Sequence, residues 1–341
     1  MAYTTINKPS DYFNTLLYTG NGGTNAQTGV GFQPDFTWIK ARSNAENHNL
    51  FDAVRGVTKR IRSNGSEAED TRTTSLTAFG TDGFTLGSGS QVNTNGWTFA
   101  SWNWKANGAG SANTVGSVSS TVSVNATSGF SIVSWQGTDA NASVGHGLSK
   151  APTMVFYKTR GLGESWVVYN KQIGAGNKLI LNDTSASSSS STNFQNGLDP
   201  NNSVFYVGAN ATNKNTPMIA YCFTDVQGYS KIGSYTGNAN ADGTFVYTGF
   251  KPAWLMVKNT ATTSSWEVWD AKRNTFNPTA KSIFPDGAGA EYDYTNRVDL
   301  LSNGFKLRTT SSPNGSGNTH IYMAFAEAPL VGSNNVPCTA R

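Results

Sequence analysis

The chain has 341 residues, of which only 13% are charged and 12% aromatic, and a formal net charge of +4. Few charges together with many large rings exclude a disordered chain. The small positive excess has no tract denser than Lys59-Arg60-Ile61-Arg62, which excludes a phosphate-tracking surface.

No apolar run reaches the ~20 residues that span a bilayer, so no membrane insertion is expected. The start MAYTTINKPSDYF has neither the basic nor the apolar region of a secretory leader, so synthesis in a cytosol is expected. Two cysteines, Cys222 and Cys338, are expected to be free thiols, not a disulfide framework.

In chain order, short apolar runs bounded by Gly, Asn, Ser and Thr predict strands at 13–18, 36–39, from 50, at 83–86 and at 97–104. The polar, charged insert 63–74 is expected to be a surface loop. Residues 108–115 have the composition of a flexible linker. Further strands are predicted at 119–124, 130–135, 154–157, 166–169, 179–181, 204–207 and 218–223, with a loop tip at 187–191. The last group is 230–235, 254–257, 266–269, 305–307 and 321–325. The tail 330–341 carries no pattern and reads as a frayed end or a docking peptide. No segment of ten or more residues has an apolar period near 3.6. The fold class is therefore all-β, in antiparallel sandwiches of jelly-roll type.

Four landmarks recur at nearly constant spacing. Pro34, Pro152 and Pro252 are each followed after six residues by Lys40, Lys158 and Lys258. Twelve residues beyond each lysine stands the second member of an aromatic–Asx pair: Phe51-Asp52, Tyr169-Asn170 and Trp269-Asp270. Gly20, Gly137 and Gly237 precede the prolines by 14, 15 and 15 residues (34−20, 152−137, 252−237). This spacing predicts three tandem sandwich modules, at 1–108, 109–227 (with the linker) and 228–329, followed by the tail 330–341. A period of 100–118 residues (252−152, 152−34) is too long for a solenoid unit, so each copy is expected to hold its own core as a separate bead. The proline starts a strand. The pairs Phe36/Trp38, Met154/Phe156 and Trp254/Met256 are expected to fill the space between two sheets. The lysine is expected to snorkel to water, and the Asx residue to cap a turn.

Catalytic chemistry has little to stand on. His48, His146 and His320 lie far apart, without ligand neighbours; His48 holds the position of Trp166 and Trp266, as a packing or rim residue would. No nucleophile elbow or phosphate loop is present. Glu291-Tyr-Asp293-Tyr-Thr295 offers two of the three acids of an E-x-D-x-E strand in an insert that looks unique to the third copy, a weak basis for glycan hydrolysis. The loop Glu67-Ala-Glu69-Asp70 offers hard oxygen ligands for calcium without an EF-hand pattern, and reads better as a solvated loop. Loop rings suited to stacking on sugar are Trp97, Tyr292 and Tyr294, with Glu291 and Asp293 beside the last two. No catalytic residue, cofactor or metal is expected.

The phrases LYTGNGG, GFQPDFTWIKARS, LFDAVRG, ATSGFSIVSWQG, GYSKIGSYTGNANADGTFVYTGFKPAWLMVKN, LLSNGFKLRTT and HIYMAFAEAP resemble virion proteins of marine tailed bacteriophages. Those proteins are usually described as tail-fibre or structural proteins and often carry concanavalin A-like, lectin/glucanase-type modules. The resemblance covers residues 1–329. It implies a non-enzymatic virion component made in the host cytoplasm and displayed on the particle, as a tail or tail-fibre adhesin whose loops contact host glycan or protein. The alternatives are a head or neck decoration protein and, less favoured, a glycan depolymerase. The partners expected are other virion proteins, further copies of itself as a trimer or higher ring, and host surface polysaccharide, with no nucleic acid.

Overall fold

The computed structural model describes residues 3–331 and 337–338. The protein is all-β, built of antiparallel sheets.

One sheet arrangement occurs three times. A lead strand, a return strand, a strand carrying the recurrent lysine and a short strand ending in the Asx residue lie side by side in that order. In the first stretch these are Phe13–Thr19, Thr98–Trp104, Phe36–Ala41 and Asn49–Asp52. In the second they are Phe130–Gln136, Pro217–Phe223, Met154–Thr159 and Val167–Asn170, the middle of an eight-stranded sheet. In the third they are Ser230–Thr236, Thr319–Pro329, Phe250–Asn259 and Glu267–Asp270. The registers correspond: Phe36, Met154 and Trp254 lie opposite Trp104, Phe223 and Phe325.

The lysine strands are buried on both sides, which is why they read as continuous apolar runs. One face sends Ile39, Val155 and Leu255 toward an outer layer of short strands, and each stretch closes a core of its own there. These outer layers are Asn25–Thr28 with Gly83–Leu86 and Leu76–Gly80, Ala142–Gly145 with Val204–Val207, and a four-stranded sheet in the third stretch. That sheet runs in the order Phe245–Tyr247, Gly304–Leu307, Tyr292–Leu301, Thr279–Ser282.

The opposite face departs from expectation. Phe36/Trp38, Met154/Phe156 and Trp254/Met256 do not fill the space between the two sheets of one sandwich; they enter a single cluster drawn from all three stretches. At its centre the equivalent rings of Trp104, Phe223 and Phe325 form a triangle with centroid distances of 6.2, 6.1 and 5.7 Å. A four-stranded sheet that is apolar on both faces must be covered twice. The outer layer covers one face and the other two stretches cover the second. The expectation of separate beads is therefore corrected.

Two surface assignments also change. Part of the supposed linker, Ser111–Asn113, is a strand paired to Ser120–Asn125. The insert 63–74 pairs Asp70–Thr71 with Lys59–Arg60 and reaches the second stretch, where Glu69 N–H donates to Arg160 O at 2.8 Å. Of the tail, 332–336 and 339–341 lie outside the described residues; the Cys338 thiol donates to Ser302 O. Cys222 and Cys338 are free thiols.

The landmark glycines have a steric cause. A Cβ on Gly20, Gly137 or Gly237 would stand 2.2, 1.8 or 2.3 Å from the carbonyl oxygen of Thr94, Lys214 or Gly315. Gly137→Ala is accordingly expected to destabilise the fold by about 1–3 kcal/mol, measured by denaturant unfolding.

Candidate functional site

Each stretch extends an arm from its Asx strand onto the next stretch, and the third reaches back to the first. Every junction repeats one set of contacts. Indole Nε1–H of Trp166 donates to Arg62 O at 2.7 Å, and that of Trp266 to Ile180 O at 2.9 Å. His48, in the same position, meets Phe284 O through Nε2 at 2.9 Å, while its Nδ1 accepts from Trp38 Nε1–H. That acceptance leaves the proton on Nε2, so the histidine reproduces the tryptophan's donor. Burial and the nearby Lys40 charge push its pKa well below the ordinary value, keeping it neutral.

The recurrent lysines do not reach water. Lys158 Nζ donates to Ser66 O at 2.9 Å and Glu164 O at 2.6 Å. Lys258 Nζ donates to Thr184 O, Asn259 O and Ser264 O at 3.1, 2.8 and 2.8 Å. Lys40 Nζ donates to Ala41 O at 2.8 Å and Ala288 O at 3.4 Å. All three are buried, and burial lowers each to a pKa of about 8. Each ammonium ties a strand end to the arm of another stretch. The snorkelling expectation is corrected: the neighbouring arm covers the strand end.

Asx residues cap as expected and also cross the junctions. Asp270 Oδ1 accepts from Lys272 and Arg273 N–H, and Oδ2 binds Arg273 Nε at 2.5 Å and Trp102 Nε1–H at 3.0 Å. Asp52 binds the Arg55 N–H and guanidinium and accepts from Tyr221 Oη–H at 2.7 Å. The third junction pairs Asn170 with a stretch whose equivalent of Trp102 and Tyr221 is Met323, which donates nothing. Ile173 there replaces the arginine. At this position a carboxylate stands where a guanidinium and a second donor meet it, and an amide where they do not.

Glu291 belongs to this construction. It holds Arg42 through two bonds of 3.0 Å and Arg273 through one of 3.1 Å. Glu69 holds Arg160 and Arg55 in the same way. Burial alone would raise both carboxyls, but the guanidinium bonds and charges outweigh it and hold them below the usual range. Glu291 is therefore the counterpart of Glu69, not part of an insert unique to the third stretch. It is turned into a junction, while Asp293 is exposed opposite Lys281. The two acids do not form a pair across a common face.

The other candidate rings separate. Trp97 is half-buried against the first outer core. Tyr292 is exposed, with its ring 4.4 Å from that of Tyr294, and Arg297 lies 3.4 Å over the Tyr294 ring. Glu67, Glu69 and Asp70 are each paired with arginine, so their loop is not a bare acidic one. Among the described residues no group of three or more His, Cys, Asp or Glu side chains is placed to hold a metal ion.

Sequence reasoning missed Asn93, Asn213 and Asn314, buried pins of the loop that follows each landmark glycine. Their amides donate to Gly23 O, Ala140 O and Asn240 O. Their recurrence after Val92, Thr212 and Pro313 was masked by loops of unequal length.

Glu267 is a buried acid of another kind. Burial, against the lowering charge of Arg297, raises its pKa from 4.5 to about 7. The folded state then holds a proton that the unfolded state has lost between those values, so this group costs stability as pH rises from 4.5 to 7. Buried neutral histidines act in the opposite sense below pH 6.5, so the comparison is made between parent and variant at each pH. Glu267→Gln is expected to gain on the parent by on the order of 3 kcal/mol between pH 4 and pH 8, read from paired denaturant curves.

Residues 8–329 match one family model, described as a domain of unknown function (DUF7483). No curated protein matches the chain.

Proposed function

The chain belongs to the DUF7483 family, and from that premise we propose that it is a non-catalytic structural component of a tailed-phage virion, displayed as a tail or tail-fibre adhesin. The observation that carries this reading is the use made of buried charge. The three lysines and the Asp–Arg–Glu–Arg chains of two junctions hold three sheets together. A body so committed internally offers its outer layers for contact, and a displayed attachment protein needs that rigidity. The phrases shared with phage virion proteins support the same reading. Attachment to other virion proteins, and to further copies of the chain, is part of it.

The test is the location of the protein on the particle. Virions labelled with an antibody to the first stretch are expected to carry label at the tail or its fibres. Label spread over the capsid shell would overturn the adhesin reading.

A further inference from the structure

The exposed rings among the described residues, Phe245, Tyr247, Phe276 and Tyr292, all belong to the third stretch. Two of them, Phe245 and Tyr247, stand on one strand of its outer sheet, and Phe276 precedes the strand Thr279–Ser282 of the same sheet. Val246, Phe305 and Leu300 point into the third core, so alternation puts Phe245 and Tyr247 on the outward face. Across that face Phe245 stands opposite Lys306, and Lys306 opposite Asp299. Two strand spacings separate Phe245 from Asp299, roughly 10 Å.

Beside them is a depression of about 380 Å³ lined by Ala241, Asn277, Pro278, Asn296, Asp299 and Arg308. Its floor is the pair Arg308 Nε–Asp299 Oδ2 at 2.5 Å, and Asp242 bridges Arg308 and Lys306. Asn277 exchanges two hydrogen bonds of 2.9 Å with the Leu300 backbone. This fixes the backbone beside Phe276, whose side chain is 78% exposed.

The corresponding positions elsewhere are not aromatic. Phe84, Phe205 and Phe305 lie opposite Gln27, Val144 and Val246. The residues flanking those three are Ala26 and Thr28, Ser143 and Gly145, and Phe245 and Tyr247. Rings were placed on one outer sheet of three, where they do not serve the common fold.

We infer that this face binds an uncharged oligosaccharide. A sugar ring offers an apolar C–H face to stack on Phe245, Tyr247 or Phe276. Its hydroxyls match Arg308 and Asn296 as donors and Asp299 as acceptor. A flat protein interface would want its centre free of charge; this face carries Lys306, Arg308, Asp299 and Asp242 next to Phe245. The inference deepens the attachment reading and rests on it for the ligand class.

The full chain is to be screened on an array of neutral and acidic oligosaccharides, and the tightest binder titrated by calorimetry. A neutral glycan is expected to bind. Phe276→Ala, at a side chain too exposed to matter for folding, and Phe245→Ala are each expected to weaken it by about tenfold. Asp299→Asn, checked for an unchanged unfolding curve, is expected to do the same. Binding confined to acidic glycans, or to none, overturns the inference. Neutral-glycan binding that these variants leave intact overturns this site and leaves the adhesin reading standing. Capsid-only label with variant-sensitive glycan binding does the reverse.

Discussion

Asp270→Ala is expected to destabilise the protein by about 3–5 kcal/mol, the loss associated with stranding one partner of a buried ion pair. Asp270 and Arg273 are wholly buried, and Asp270 is also the acceptor for Trp102 of the first stretch. Removing it leaves a guanidinium with Glu291, two carbonyls and the Trp102 ring but without its buried counter-charge, and strands the Trp102 indole N–H. The third junction supplies the control. Nature has written Asn170 and Ile173 there, without the pair, so Asp270→Asn combined with Arg273→Ile is expected to lose less than either single change. Denaturant unfolding of the two single variants and the double variant measures the coupling. A double variant as unstable as the sum of the singles would show that the seam does not act as a pair.

Trp104→Ala is expected to cost about 3–5 kcal/mol, the range for emptying a buried aromatic site. Its ring packs on Phe13, Phe36, Phe223, Trp254 and Phe325, residues of all three stretches. The shape of the transition is more informative than its midpoint. If the inner cluster unites the protein, the variant melts at lower temperature in one transition, by calorimetry and by fluorescence alike. Independent beads would instead give an early partial transition for the first stretch alone.

What the residues disclosed, and what they hid, divides along a physical line. Strand positions were legible because short apolar runs between turn residues carry their own period: 204–207 was placed to the residue, as was 83–86. The landmark spacing was legible because equivalent registers impose it. The destination of the side chains was not. Trp38 and Ile39 are equally apolar, and nothing local says that one faces a neighbouring stretch and the other its own outer layer. Lys40, Lys158 and Lys258 did carry a signal. A lysine repeated at the inner end of an apolar strand is a poor surface residue, and its fixity matches the one carbonyl that a neighbouring stretch offers each copy, at Ala288, Ser66 and Thr184. The arms were hidden because Glu69, Ser187 and Glu291 share a place and one backbone bond, to Arg160, Thr260 and Arg42, but no motif. Phe245 and Tyr247 fall outside every strand predicted from the sequence, and an aromatic facing solvent and one facing a core look alike there.

The junctions form a closed cycle, first to second, second to third, third to first. Tyr3 Oη–H and Leu330 N–H both donate to Gly249 O, and Phe13 stacks on Phe325 at 5.0 Å. Tyr3, before the first stretch, and Leu330, after the third, thus meet on one carbonyl. The order in which the stretches are written along the polypeptide is then incidental to the contacts they make. A circular permutant joined from the old end to the old start, and opened between the second and third stretches, would present the same three seams and the same triangle of rings. What the polypeptide contributes there is tethering, the raised effective concentration of parts that already fit one another.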